Sequence, residues 1–105
     1  FSFVFTMGAI APNQPGTENK KLGDIKEQTR MVLENLKQIL ETARSSLDNV
    51  VKTTVFLTNL ARDYEGMNEV YGQYFKKPYP ARSTIQIGGL IEGSEVEIET
   101  IAYIP

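Results

Sequence analysis

Arg82, Thr84, Glu97 and Glu99 stand out in the last third of the chain, because strand-like alternation sets each of them among apolar neighbours. A guanidinium in such a place offers a planar fork that can grip a carboxylate through two charge-assisted hydrogen bonds. It can equally form an ordinary salt bridge with a glutamate. Glu97 sits near the middle of its run, where a covered carboxylate is costly unless paired. It therefore has either a cationic neighbour or a chemical task, and spacing alone leaves both readings open.

Other chemistries are excluded by what is missing. The 105 residues contain no Cys and no His, which removes zinc sites built on those ligands, cysteine nucleophiles and Ser–His–Asp triads. Two-histidine ribonuclease chemistry goes with them. Catalysis would have to use carboxylates, Arg, Lys, hydroxyls, backbone groups or a borrowed cofactor. With 11 Lys plus Arg against 13 Asp plus Glu, the net charge of −2 argues against a nucleic-acid partner. No apolar run reaches the length needed to span a bilayer. The lack of a disulfide framework suits a cytoplasmic protein.

The elements that must position these residues read clearly. Phe1, Phe3, Phe5 and Met7 alternate with smaller or polar residues up to Gly8, the period of a strand. Pro12-Asn13-Gln14-Pro15-Gly16 opens a polar loop that runs to Gly23. Asp24 and Glu27 have the spacing of a capping box. After them Ile25, Gln28, Val32, Leu36, Ile39, Leu40 and Ala43 form one helical stripe. That helix should end near Ala43-Arg44, and with no glycine there Arg44 is expected to take the left-handed conformation. Val50 to Thr58 is rich in β-branched residues, the composition of a strand covered on both faces. Ala61 to Phe75 returns to helical spacing, with Tyr71 and Tyr74 read as core, and Pro78 and Pro80 follow it. Ser83–Ile87 and Val96–Tyr103 are further strands. The order is β-α-β-α-β-β in one domain over residues 1–105, an α+β layout with two helices on one face of a mixed sheet.

Alternation assigns the faces of the last two strands. With Ser83, Ile85 and Ile87 turned to the helices, and Val96, Ile98, Thr100 and Ala102 likewise, the other face carries Arg82, Thr84, Gln86, Glu97 and Glu99. Ile101, Tyr103 and the N-terminal phenylalanines share that face and need cover, which favours burial against symmetry mates.

The run Pro80-Ala81-Arg82-Ser83-Thr84-Ile85, followed by Gly88, Leu90 and Val96-Glu97-Ile98, resembles the signature of the reactive-intermediate deaminase (Rid) family. That family is also called the translation-initiation-inhibitor or perchloric-acid-soluble protein family. Gln28-Thr29-Arg30, Leu33-Glu34-Asn35-Leu36, Val51-Lys52-Thr53-Thr54-Val55-Phe56 and Met67-Asn68-Glu69-Val70-Tyr71 support the match, which extends over nearly the whole chain. The resemblance implies a chorismate-mutase-like fold with the last strand between the first two. It also implies a homotrimer with a central barrel and clefts between subunits. The implied activity is hydrolysis of 2-imino acids and their enamines to 2-keto acids and ammonia, without metal or organic cofactor.

On that resemblance, Arg82 binds the substrate carboxylate. Glu97 positions or activates water with help from the Gly8 carbonyl, and Thr84 and Asn68 are further contacts. Met7 stands where the family carries Ser, which replaces a hydroxyl with a larger apolar wall. Relatives also begin further upstream, with a strand and a Tyr that closes the site, and this chain is expected to lack that strand. Two other functions fit the same residues: a non-catalytic trimer that binds small carboxylates such as keto acids, and an endoribonuclease or translation inhibitor. The second has no His and no basic stripe to support it.

Overall fold

The computed structural model describes residues 2–11 and 23–105. The turn-rich loop read from Pro12 onward and the first phenylalanine lie outside the described residues. Strand β1 (Ser2–Phe5) is followed by helix α1 (Ile25–Thr42), strand β2 (Val50–Leu57), helix α2 (Leu60–Tyr74), strand β3 (Ala81–Gln86) and strand β4 (Val96–Ile104). The sheet order is β1-β4-β2-β3. β4 runs antiparallel to both β1 and β2, whereas β2 and β3 are parallel, because α2 carries the chain back across the sheet between them. The expected central place of the last strand is what the sheet shows.

Local chemistry starts and stops the helices. The Asp24 carboxylate accepts from the Glu27 N–H at 2.9 Å, satisfying a donor that the first turn of α1 cannot bond internally. At the other end Arg44 has φ 67°, the left-handed conformation that a glycine would adopt at less cost. Asn59 caps α2 by accepting from the Arg62 N–H at 3.1 Å.

Both helices lie on one face of the sheet. Leu33, Leu36 and Leu40 of α1 and Met67 and Val70 of α2 close over Val55, Leu57, Val96 and Ile98, and all of these are buried. Ile39, placed in the apolar stripe by its spacing, lies outside this core and is 42% exposed. The start of β4 is fixed by a polar knot. Buried Gln28 donates to Glu95 Oε1 at 2.8 Å and accepts from the Glu95 N–H at 2.9 Å. Arg62 bridges Asp63 and Glu95.

Among the described residues, neither helix covers the second sheet face. Phe3, Phe5 and Ile85 are exposed there, so among the described residues β2, expected to be covered on both faces, is covered on one. No helix among the described residues is long and apolar enough to cross a membrane.

Candidate functional site

The register of the sheet corrects the face assigned to Arg82, Thr84 and Gln86. Thr53 of β2 is paired with Arg82 on one side and with Thr100 on the other. Directly paired residues point the same way, and Thr53 and Thr100 are buried beneath the helices. Arg82 and Thr84 therefore face α2, and Gln86 accepts from the Leu60 N–H at its start, at 2.8 Å. Ser83 and Ile85 share the open face with Glu97 and Glu99. Alternation fixes phase within one strand. β3 is an edge strand under a polar stretch of α2, so its more apolar side was a poor guide to the core.

Arg82 is held in a defined pose. Nη1 donates to Asn68 Oδ1 at 2.7 Å and Nη2 to the Tyr64 hydroxyl at 3.0 Å. The guanidinium carbon lies 4.7 Å from the Tyr71 ring centroid and 5.8 Å from that of Tyr64, within cation–π range. Tyr71 is itself pinned, since its hydroxyl and that of Thr53 share a buried hydrogen bond of 2.8 Å. Burial pushes the Tyr71 phenol above its ordinary pKa, with Thr53 and the Arg82 charge pulling the other way. Each terminal nitrogen of Arg82 spends one N–H on this frame and keeps another, which leaves the fork able to take a carboxylate.

Glu97 is on the other side of the sheet, against Gly8. The β1–β4 ladder continues as far as the Thr6 N–H donating to the Thr100 carbonyl at 3.0 Å. It resumes where Ala9 and Ile98 exchange bonds of 2.9 and 3.1 Å. Between those points Met7 and Gly8 stand opposite Glu99 alone, which is a β-bulge. The Thr6 hydroxyl accepts from the Thr100 N–H at 2.9 Å, filling a ladder position at the rim of the bulge. A Cβ on Gly8 would lie 2.5 Å from Glu97 Cδ and Oε2. A side chain at this position would push the carboxylate aside, so the glycine is what leaves it that space.

The residues expected to form one site thus fall into two groups. Arg82 and Asn68 are together beneath α2, with half-buried Thr84 on the same face two residues along β3. Glu97, Gly8 and Met7 are together at the bulge, with Met7 82% exposed. Sequence reading missed Tyr64 and treated Tyr71 only as core. Their spacing with Asn68 (four residues, then three) puts all three on one helical face, which was the available signal. Among the described residues no group of three carboxylates converges in a way that could hold a metal ion.

Comparison with known proteins decides the family. The model of the family described as endoribonuclease L-PSP matches residues 2–104. The chain belongs to this family, the Rid family. A RutC family protein of Pyrococcus abyssi is 47% identical over 102 residues, covering 97% of this chain and 79% of that protein. Human 2-iminobutanoate/2-iminopropanoate deaminase is 42% identical over 99 residues, covering 94% and 71%. Among solved structures, RidA from the Antarctic bacterium Psychrobacter sp. superposes with a TM-score of 0.86 at 40% identity, covering 99% of this chain and 82% of its own. E. coli TdcF with bound serine gives 0.83 at 38% identity, covering 96% and 80%. The two helices over a mixed four-stranded sheet are thus the chorismate-mutase-like Rid fold.

Proposed function

We propose that this Rid protein hydrolyses 2-imino acids to 2-keto acids and ammonia, at sites built by two copies of the chain within a homotrimer. The observation that carries the reading is the opposite facing of Arg82 and Glu97. Within one sheet they cannot close on a small substrate, whereas β3 is an edge strand and can bring Arg82 to the open face of a neighbour. The uncovered apolar residues of that face supply a reason for copies to associate. The human relative's name supports the reaction, and the serine bound to TdcF supports a ligand of amino-acid size.

In this reading Arg82 of one copy holds the substrate carboxylate in its fork, assisted by Asn68 and the Thr84 hydroxyl. Glu97 of the neighbour, with the Gly8 carbonyl, orients a water molecule towards the imine carbon. The water oxygen bonds to that carbon as one of its protons passes to the Glu97 carboxylate. That proton then moves to nitrogen, the new hydroxyl passes its own proton by way of Glu97 to the departing nitrogen, and ammonia leaves as the C–N bond breaks and the carbonyl forms. Water and imino acid are consumed, keto acid and ammonia are produced, and no redox partner is needed.

The test is complementation. Arg82→Ala and Glu97→Ala should each abolish ammonia release from freshly generated 2-iminobutanoate. Unfolded and refolded together in equal amounts, they should recover about a quarter of wild-type activity, because a quarter of randomly formed interfaces carry both intact residues. No recovery from correctly formed mixed oligomers would place both groups within one copy and overturn the shared site. A wild-type chain that binds 2-ketobutyrate by calorimetry without turning over imine would favour the binding module. The endoribonuclease reading finds no histidine in the sequence.

A further inference from the structure

On the strands of the open sheet face only Lys52, Glu97 and Glu99 are charged. Glu97 is held against Gly8, which leaves Lys52 and Glu99 without a task. They are diagonal neighbours, since Thr54 pairs with Glu99 and Lys52 with Ile101, yet they do not bond to each other. The Lys52 amine turns the other way, across to β3, and donates to the Ser83 hydroxyl at 2.9 Å. Glu99, on β4, has no ion-pair partner among the described residues. Beside it a hollow of about 120 Å³ is lined by Lys52, Thr54, Phe5 and Ile101. The face is therefore polarised, with a cation carried towards the β3 edge and an unpaired carboxylate on the β4 side.

Resting on the shared site above, we propose that Lys52 of one copy pairs with Glu99 of its neighbour and so sets the register in which the copies meet. The edge that carries Arg82 to a neighbour carries Ser83, and with it the Lys52 amine. The face that presents Glu97 presents Glu99 two residues further along the same strand. An approach that brings Arg82 towards Glu97 of the next copy therefore brings Lys52 towards Glu99. Covering the apolar face takes water from both charges, which is heavily penalised unless they pair. Lys52 keeps two N–H donors beyond the one given to Ser83, so it can take the carboxylate without losing that bond. Copies set out of register would leave bare or like charges in the seam, so the pair also works against wrong assemblies.

The test is charge reversal, read from the mass of the assembly in sedimentation and independent of any imine. Lys52→Glu and Glu99→Lys, each alone, should raise the concentration at which the assembly half-dissociates by at least about a hundredfold, with circular dichroism unchanged. Both changes in one chain should restore the wild-type mass. The two single variants mixed in equal amounts should also assemble, since opposite charges then meet between copies. Single variants that assemble as the wild type does, or a loss that neither the double variant nor the mixture repairs, would overturn the pair. A double variant that assembles while the mixture does not would put the pair within one copy and overturn it equally. Those outcomes leave the shared site standing. A wild-type chain that sediments as single copies would overturn the shared site itself, and this inference with it.

Discussion

The Glu97 carboxylate fills the space that a side chain on Gly8 would need. Gly8→Ala should therefore act on the carboxylate more than on the fold, because the group displaced is the end of a flexible side chain. Imine hydrolysis is expected to fall by about a hundredfold, the penalty of misplacing a reacting group by around an ångström. The melting temperature should shift by only a few degrees. Calorimetric melting beside the ammonia assay reads both, and unchanged turnover would remove Glu97 from the chemistry.

Tyr64 and Asn68 orient Arg82 through hydrogen bonds at the surface. Tyr64→Phe should keep the ring and lose one bond, raising KM for imine several-fold with little change in kcat. Asn68→Ala should do the same. Equal losses in kcat and kcat/KM would mean instead that the frame matters in the transition state.

Tyr71 supplies a pH dependence. Its phenol is held above the ordinary value, mainly by burial, so the folded chain binds that proton more tightly than the unfolded chain does. The stabilisation is complete below about pH 10 and is lost as pH rises through the raised value. Tyr71→Phe should flatten the alkaline limb of stability against pH, at a cost near neutrality of about 1 kcal/mol for the lost bond to Thr53. Urea unfolding at a series of pH values checks the slope.

Arg44 has a positive φ without being glycine. Arg44→Gly should stabilise the chain by about 0.5–1 kcal/mol, since relief of the left-handed strain exceeds the added freedom of the unfolded chain. A shift in the urea midpoint at constant slope would show it.

Gln28 is buried and bonded to both the backbone and the side chain of Glu95. Gln28→Leu should cost about 2–3 kcal/mol, because it leaves a Glu95 N–H without its partner. Since Glu95 is two residues from Glu97, the same variant should also lower turnover. Hydrogen exchange is expected to quicken at the beginning of β4.

Much of this was legible from local chemistry. Asp24 and Glu27 marked the start of α1, and the glycine-free stretch after Ala43 pointed to a left-handed Arg44. These signals act within a few residues, and the structure bears them out. The alternation of β4 was equally reliable: Val96, Ile98, Thr100 and Ala102 all turn to the helices. The sequence alone also ruled out histidine and cysteine chemistry and carried the residues of the Rid signature. Tertiary structure decided the rest. The face on which Arg82 lies depends on pairing with Thr53, and the meeting of Gly8 with Glu97 depends on a one-residue slip between β1 and β4. Both are matters of register between strands distant in sequence, and a period of two within each strand carries no information about how the strands are set against one another.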